Sequence, residues 1–225
     1  INTGLRATAW NDYGEAYSIV YDPHYQPVSS KTYAKGVQYY SRLELEPRVS
    51  FSLKTGRYAA LKASYNRTTQ HINQISTSIS PFNALEVWLP AGPNIRPQYA
   101  DIADVEFVVS WPERSVEFSV DVYRKWMYNQ IGYQYHAEMF LNPYLEGELR
   151  QGKGISQGIE VLVRKTQGRL TGQVGFGHTR STLAIKDLNG GRSYPSRQDR
   201  PLDISLAVEY RLRPRWQVNF NVLYM

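Results

Sequence analysis

The sequence of 225 residues contains no cysteine. This absence excludes a disulfide framework, a thiolate metal site and a cysteine nucleophile within these residues. No segment approaches the roughly 18 consecutive apolar residues of a membrane-spanning helix, and the mean hydropathy is −0.49. A helical membrane protein is therefore excluded. A membrane β-barrel is not, because its strands carry apolar residues only at alternate positions.

Blocks of like charge are also missing, although 26 basic and 20 acidic residues leave a net charge of +6. The basic residues are scattered singly along the chain, so we expect no nucleic-acid partner. Aromatic residues make up 13% of the sequence. That content is too high for a disordered chain and indicates a folded one.

A repeat of two residues, the side-chain period of a β-strand, dominates the sequence. In one clear example, Val116, Phe118, Val120 and Val122 alternate with mostly polar residues. No segment shows a helical stripe between caps, so we predict an all-β fold with about nine strands. The segments with this pattern are 5–9, 49–53, 59–65, 103–111, 116–122, 159–163, 170–176, 204–210 and 216–224.

Short and long connections alternate strictly along the chain. Each short connection contains a glycine or proline suited to a tight turn, whereas the long ones are polar or aromatic. This asymmetry is typical of outer-membrane barrels, which have short periplasmic turns and long extracellular loops. The predicted short turns are 54–57, 112–115, 166–169 and 212–215, and the predicted long connections are 11–38, 68–100, 129–155 and 180–201.

The predicted strands have one apolar and one polar face, which fits lipid outside a barrel and a water-filled lumen inside it. Aromatic residues that could form interfacial girdles lie near predicted strand ends. A soluble antiparallel sandwich explains the alternation equally well, but it explains the long and short connections less well. The girdle candidates are Tyr58, Trp111, Trp126, Tyr210 and Trp216.

A succession of strings between residues 40 and 225 resembles the barrel of TonB-dependent outer-membrane receptors of the Bacteroidetes type. Each string is weak alone, but together they follow the order expected of that family. They are Leu61 to His71, Leu89-Pro90 with Asn94 to Asp101, Tyr123 to Ile131, Glu146 to Gly154 with Gly158 to Glu160, Gly168 to Gly172, and Tyr194-Pro195 with Asp199 to Pro201.

The resemblance implies an antiparallel transmembrane β-barrel of 22 strands in the bacterial outer membrane, filled by an N-terminal plug. Residues 1–225 would form a partial barrel domain of about nine strands, and we expect the plug and its TonB box to lie outside them. The implied function is uptake of a scarce ligand, such as a siderophore, glycan or peptide. The implied partners are outer-membrane lipid and lipopolysaccharide, TonB through the plug, and a surface lipoprotein or other outer-membrane subunits. A barrel that serves as a scaffold in an outer-membrane complex, and a soluble β-sandwich binding module, remain the alternatives.

We predict no catalytic site, no cofactor and no metal site. The four histidines are not spaced as a ligand set, and the nearest local grouping, His178 to Ser181, does not direct a base at a nucleophile. In a barrel, ligand contacts come from the extracellular loops and the upper lumen. An alternative is that these loop residues pack against one another and that basic residues pair lipopolysaccharide phosphates. The predicted ligand-binding residues are Trp88, Arg96, Tyr99, Asn129, Phe140, Tyr144, Arg150, Tyr194 and Arg197.

Overall fold

The computed structural model describes residues 1–76, 86–139 and 141–225. These residues form an all-β structure, which confirms the predicted class. Their helical content is limited to three single turns of 3-10 helix, at Pro112–Arg114, Leu145–Glu148 and Asn189–Gly191. No helix in these residues is long and apolar enough to cross a membrane.

Fourteen strands lie in the described residues, and nine of them are long. The strands are β1 (Asn2–Tyr13), β2 (Ala16–Tyr21), β3 (Pro27–Tyr33), β4 (Gln38–Lys54), β5 (Ala59–Gln70), β6 (Ile72–Ser76), β7 (Glu86–Pro90), β8 (Gln98–Trp111), β9 (Val116–Tyr133), β10 (Leu149–Lys165), β11 (Leu170–Ile185), β12 (Tyr194–Pro195), β13 (Asp203–Arg213) and β14 (Trp216–Tyr224).

The nine long strands form one antiparallel sheet in the order β1-β4-β5-β8-β9-β10-β11-β13-β14. Each of the nine predicted segments lies in one of these strands, so the predicted strand number is confirmed. The two-residue strand β12 pairs with β11, while β2–β3 and β6–β7 are separate hairpins. Consecutive long strands are neighbours in the sheet, so all short connections lie at one end and all long ones at the other.

The strict alternation of short and long connections is confirmed. The short turns span 55–58, 112–115, 166–169 and 214–215, and the long connections span 14–37, 71–97, 134–148 and 186–202. The predicted ends of the long connections were wrong, because the strands run further than the apolar alternation does. A strand is held in the sheet by its backbone hydrogen bonds, so it can continue where apolar and polar side chains no longer alternate. Two long connections also contain the hairpins β2–β3 and β6–β7.

The register aligns the apolar residues of successive strands on one face of the sheet, here called the apolar face. Directly paired residues of neighbouring strands point to the same face. The pairing of β5 with β8 and of β8 with β9 has no register shift. The central row of successive partners is Leu53, Leu61, Phe107, Val120, Val161, Phe176, Ile204 and Tyr224.

The apolar face is open to its surroundings in the described residues. Val122 is 53% exposed, Val105 48% and Val174 48%, whereas a sheet in a compact domain buries its apolar face against another layer. The buried apolar residues lie instead at the end of the sheet that carries the long connections. They are Ile19, Ile75, Ala91, Ile95, Ala100, Leu149 and Ile185.

The opposite face, here called the polar face, carries paired charges and hydroxyls. Lys62 Nζ lies 2.9 Å from Glu106 Oε2, its direct cross-strand neighbour. The hydroxyl groups of Tyr123 and Thr179 lie 2.9 Å apart on the same face. The two faces therefore differ in polarity along the whole sheet, as the alternation predicts.

Aromatic and charged side chains border the apolar face on the side of the long connections. Arg67 donates to both carboxylate oxygens of Asp101, at 2.7 and 2.8 Å, and the Tyr65 hydroxyl donates to the same carboxylate at 2.8 Å. The Arg67 guanidinium lies 5.2 Å from the centre of the Tyr99 ring, which stacks on Tyr128 at 4.5 Å. We call these five residues the upper border.

Four of the five girdle candidates lie near strand ends, as predicted. Trp111 is the last residue of β8, and Trp216 is the first residue of β14. Tyr58 directly precedes β5, and Tyr210 lies three residues before the end of β13. The prediction for Trp126 was wrong, because β9 continues to residue 133. Trp126 pairs with Asp101, so it lies level with the upper border.

Candidate ligand site

The described parts of the four long connections pack together above the sheet and are here called the cap. Their centre is a buried cluster of Ile75, Ile95 and Leu149. These three residues come from β6, from the segment after β7, and from the start of β10. Residues that are distant in sequence therefore create an enclosed region at this end of the sheet.

Arg150 ties several parts of the cap together. Its guanidinium donates to the Gly147 carbonyl at 2.7 Å, to Gln134 Oε1 at 2.6 Å and to Asp187 Oδ2 at 3.1 Å. It also lies 3.5 Å from the centre of the Tyr25 ring, in the turn of the β2–β3 hairpin. Arg150 is only 5% exposed, so this predicted ligand residue is engaged by the protein and positions the cap.

A first cavity of about 400 Å³ lies beside this arginine. It brings together two of the predicted ligand residues, Arg96 and Asn129, with Tyr21, Asn94 and Glu146. Burial raises the pKa of the Tyr21 hydroxyl, and the nearby Glu146 carboxylate raises it further. The cavity therefore carries charges of both signs beside a tyrosine that stays protonated at neutral pH.

The amide groups around the first cavity are largely used to hold its walls. Asn94 Nδ2 donates to the Ile19 carbonyl at 2.9 Å and to Glu146 Oε2 at 2.6 Å. Asn129 Nδ2 donates to the Pro97 carbonyl at 2.8 Å. These contacts fix the β2–β3 hairpin against the segment that enters β8.

Two further cavities, of about 410 and 550 Å³, adjoin each other because both are lined by Gln98 and Gln130. We call them together the amide cleft. The first lies on the polar face beside β5, β8 and β9, and the second continues under β6 and β12. The amide residues that line the cleft are Gln70, Asn73, Gln74, Gln98, Gln130, Gln134 and Gln198.

The amide cleft brings together two other predicted ligand residues, Tyr194 and Arg197, in its second cavity. Tyr99 borders the cavity on the polar face, but its ring stacks on Tyr128 in the upper border, on the other face of the sheet. Burial raises the pKa of Tyr194 above its ordinary value. Asn73 joins the two parts, because its Oδ1 accepts from Gln98 Nε2 at 2.8 Å.

Of the predicted ligand residues that the structure describes, Trp88, Tyr144 and Arg150 are not among those that line these cavities. Trp88 is 63% exposed on β7, and Tyr144 is 47% exposed beside the 3-10 turn that it precedes. Phe140 lies outside the described residues. Ligand binding by the nine predicted residues stays a prediction, but five of them, Arg96, Tyr99, Asn129, Tyr194 and Arg197, now have a cavity to line.

The sequence prediction missed the amides of the cleft. Gln130 reaches the polar face because Asn129, which has a φ of 54°, is an extra residue in β9. Tyr128 pairs with Lys153 and Gln130 with Gly152, which shows the bulge. A β-bulge reverses the alternation beyond it, and neither the bulge nor the approach of Asn73 has a local sequence signal.

Among the described residues, no cluster of three or more histidine, cysteine, aspartate or glutamate side chains is placed to hold a metal ion. His71 stacks on Trp10, with ring centres 5.3 Å apart, and is packed as an aromatic side chain. The predicted absence of a cofactor and of catalysis stays a prediction.

Comparison with known proteins finds no match to a protein-family model and none to a curated protein. The resemblance to TonB-dependent receptors therefore depends on the sequence strings alone.

Proposed function

We propose that this chain is part of an outer-membrane β-barrel receptor that takes up a scarce ligand with energy supplied through TonB. The observation that carries the proposal is the exposed apolar face, which extends over nine antiparallel strands and lies back to back with a polar face. Hydrocarbon cannot hydrogen-bond, so it accepts such a sheet only when the backbone groups are paired and the outward side chains are apolar.

The dimensions of the apolar face support a membrane setting. Along β8, its apolar residues run from Ala103 to Trp111, which corresponds to about 26 Å of strand. At the tilt of roughly 35–45° found in membrane barrels, this length gives a band about 20 Å high, close to the roughly 25 Å of known barrels. The upper border and the tryptophans near the short turns would then lie at the two interfaces.

The placement of the connections supports an orientation. In the proposed barrel, the short turns face the periplasm, and the cap lies on the outside of the cell, where a ligand arrives. Strands β1 and β14 form the two edges of the sheet in the described residues. We propose that further strands pair with these edges and close the barrel, because closure removes exposed strand edges.

A scaffold role in an outer-membrane complex is the second candidate, and the packing of the cap favours it. Arg150 and the Ile75, Ile95 and Leu149 cluster hold the connections against one another. A cap fixed in this way would close a barrel permanently.

The receptor and the scaffold can be distinguished by their partner proteins, because a scaffold keeps its partner subunits after detergent extraction.

The proposal is tested by fractionating cells that express the full-length protein and running the fractions boiled and unboiled. We expect the protein in the outer membrane, with a heat-dependent shift in electrophoretic mobility that is typical of folded barrels. Recovery in the soluble fraction without detergent and without a heat shift would overturn the proposal. Subunits that co-purify in fixed stoichiometry would favour the scaffold over the receptor.

A further inference from the structure

We propose that the amide cleft binds an acidic oligosaccharide. This inference rests on the proposed function, because it names the class of ligand that the receptor would take up. It depends on four features of the cleft: its charge, its amide content, its unpartnered donors and its aromatic walls.

The described side chains that line the cleft carry a net positive charge. Among the side chains that the structure describes, no aspartate or glutamate lines either of its two cavities, although the sequence has 20 of these residues. Lys125 lines the first cavity and Arg197 the second. In the separate cavity beside Arg150, by contrast, the charges of Asp22 and Glu146 offset those of Arg96 and Lys153. An anionic ligand is therefore favoured by the cleft, and it is not favoured by the other cavity.

The amides of the cleft suit a ligand that is rich in hydroxyl groups. Gln70, Gln98 and Gln130 each donate one hydrogen bond from Nε2 within the protein, to the Ile72 carbonyl, to Asn73 Oδ1 and to the Tyr128 carbonyl. Each amide therefore keeps its second donor hydrogen and an acceptor oxygen, and a sugar hydroxyl both donates and accepts. Gln70, Gln98 and Gln130 lie on neighbouring strands, with Gln70 and Gln98 directly paired. The amides therefore form a line across the sheet, which suits a chain of sugar units better than a compact ligand.

Two polar atoms at the cleft lack a protein partner in the described part of the chain. Asn73 is 1% exposed and its Nδ2 donates to no other group, while the hydroxyl of Tyr133 is buried and also unpaired. Buried donors without acceptors are costly and rare. Both residues line the second cavity, where oxygen atoms of a bound sugar would accept from them.

The second cavity also has aromatic and aliphatic walls. Tyr133, Tyr135 and Tyr194 line it together with Ile131 and Ile185. Tyrosine rings pack against apolar surfaces while their hydroxyls remain hydrogen-bonded. The C–H faces of sugar rings match this combination. Each cavity lies within the range of roughly 300–1,000 Å³ that ligand sites occupy.

The experiment measures binding by calorimetry to the full-length protein in detergent. The probes are an oligogalacturonate, a neutral malto-oligosaccharide of equal length, and ferric citrate as an anionic ligand that is not a sugar. We expect the oligogalacturonate to bind at least about tenfold more tightly than either of the others, since hydrogen bonds to charged groups contribute about that factor. Equal affinity for the neutral sugar, tighter binding of ferric citrate, or no binding of any probe would overturn the inference.

Two matched pairs of variants assign the binding to the cleft. Lys125→Gln should weaken oligogalacturonate binding roughly tenfold, whereas Lys31→Gln, an equal charge change on the exposed strand β3, should not. Gln130→Glu should abolish it by placing a carboxylate in the cleft, whereas Gln217→Glu on exposed β14 should not. Unchanged binding in both cleft variants would refute the site.

Localisation separates this inference from the proposed function. A heat-modifiable protein in the outer membrane that fails to bind the acidic sugar would refute the inference and leave the barrel intact. A soluble protein would refute the proposed function, whatever its cleft binds.

Discussion

Replacing Val120 by arginine should strongly destabilise the protein if the apolar face lies in lipid, and should have little effect if that face lies in water. Val120 is in the central row of the apolar face, between Phe107 and Val161. In the proposed barrel Val120 lies near the middle of the bilayer, because its partner Phe107 is halfway along the apolar stretch from Ala103 to Trp111. An arginine at that depth costs about 2–4 kcal/mol of the free energy of folding. On a water-exposed face, the same substitution should change that free energy by less than about 0.5 kcal/mol.

The matched control is Ser119→Arg, one residue along β9 on the polar face. Ser119 lies between Glu117 and Asp121 on that face, so the new arginine gains acidic neighbours in a wide lumen. The assay compares urea unfolding of the two variants folded into bilayers, together with the fraction that shows a heat shift in cells. Equal stability of Val120→Arg and Ser119→Arg would refute the assignment of the faces.

Three other substitutions test separate parts of the structure. Asp101→Asn should lower the free energy of unfolding in bilayers by about 2 kcal/mol, because it breaks the two-bond pair with Arg67; no change would mean that this pair is not formed. Arg150→Lys should destabilise the cap by about 2–3 kcal/mol, because an ammonium cannot reproduce the guanidinium contacts, and hydrogen exchange should accelerate in the cap but not in the sheet. Tyr58→Phe should raise the pKa of Glu113, which the Tyr58 hydroxyl at 2.6 Å holds below its ordinary value. A lowered pKa stabilises the fold only above the ordinary pKa of the carboxyl, where the group is ionised. The variant should therefore be less stable than the wild-type protein at neutral pH and equally stable in acid. An NMR titration in which the pKa of Glu113 is the same in both proteins would contradict the contact.

The sheet could be predicted from the sequence because its signal is local. The alternation from Val116 to Val122 identifies a strand and its two faces without any knowledge of its neighbours. The ends of the strands could not be predicted in the same way. From Tyr123 to Lys125 the alternation fails, yet β9 continues to Tyr133, because pairing with β10 supplies the backbone hydrogen bonds.

The candidate site could be predicted only as a region. Long connections identify the end of the sheet where side chains gather, but the amide cleft needs Asn73, Gln98 and Gln130 to meet from three segments. The β2–β3 hairpin did have a signal that the prediction did not use. Asp22 precedes a proline, and its carboxylate accepts from the backbone of His24 and Gln26, both at 2.8 Å, as aspartate does in turns.

A scan of single cysteines along residues 117–123 of β9 would show directly whether the apolar face lies in lipid. The scan is practical because the 225 residues contain no native cysteine. Each cysteine carries a spin label, and its access to lipid-soluble oxygen and to a water-soluble nickel complex is recorded in bilayers. We expect a period of two, with labels at positions 118, 120 and 122 accessible to oxygen and labels at positions 117, 119 and 121 accessible to the nickel complex. Equal access of nickel to both sets would show that water covers both faces of the sheet and would contradict the barrel.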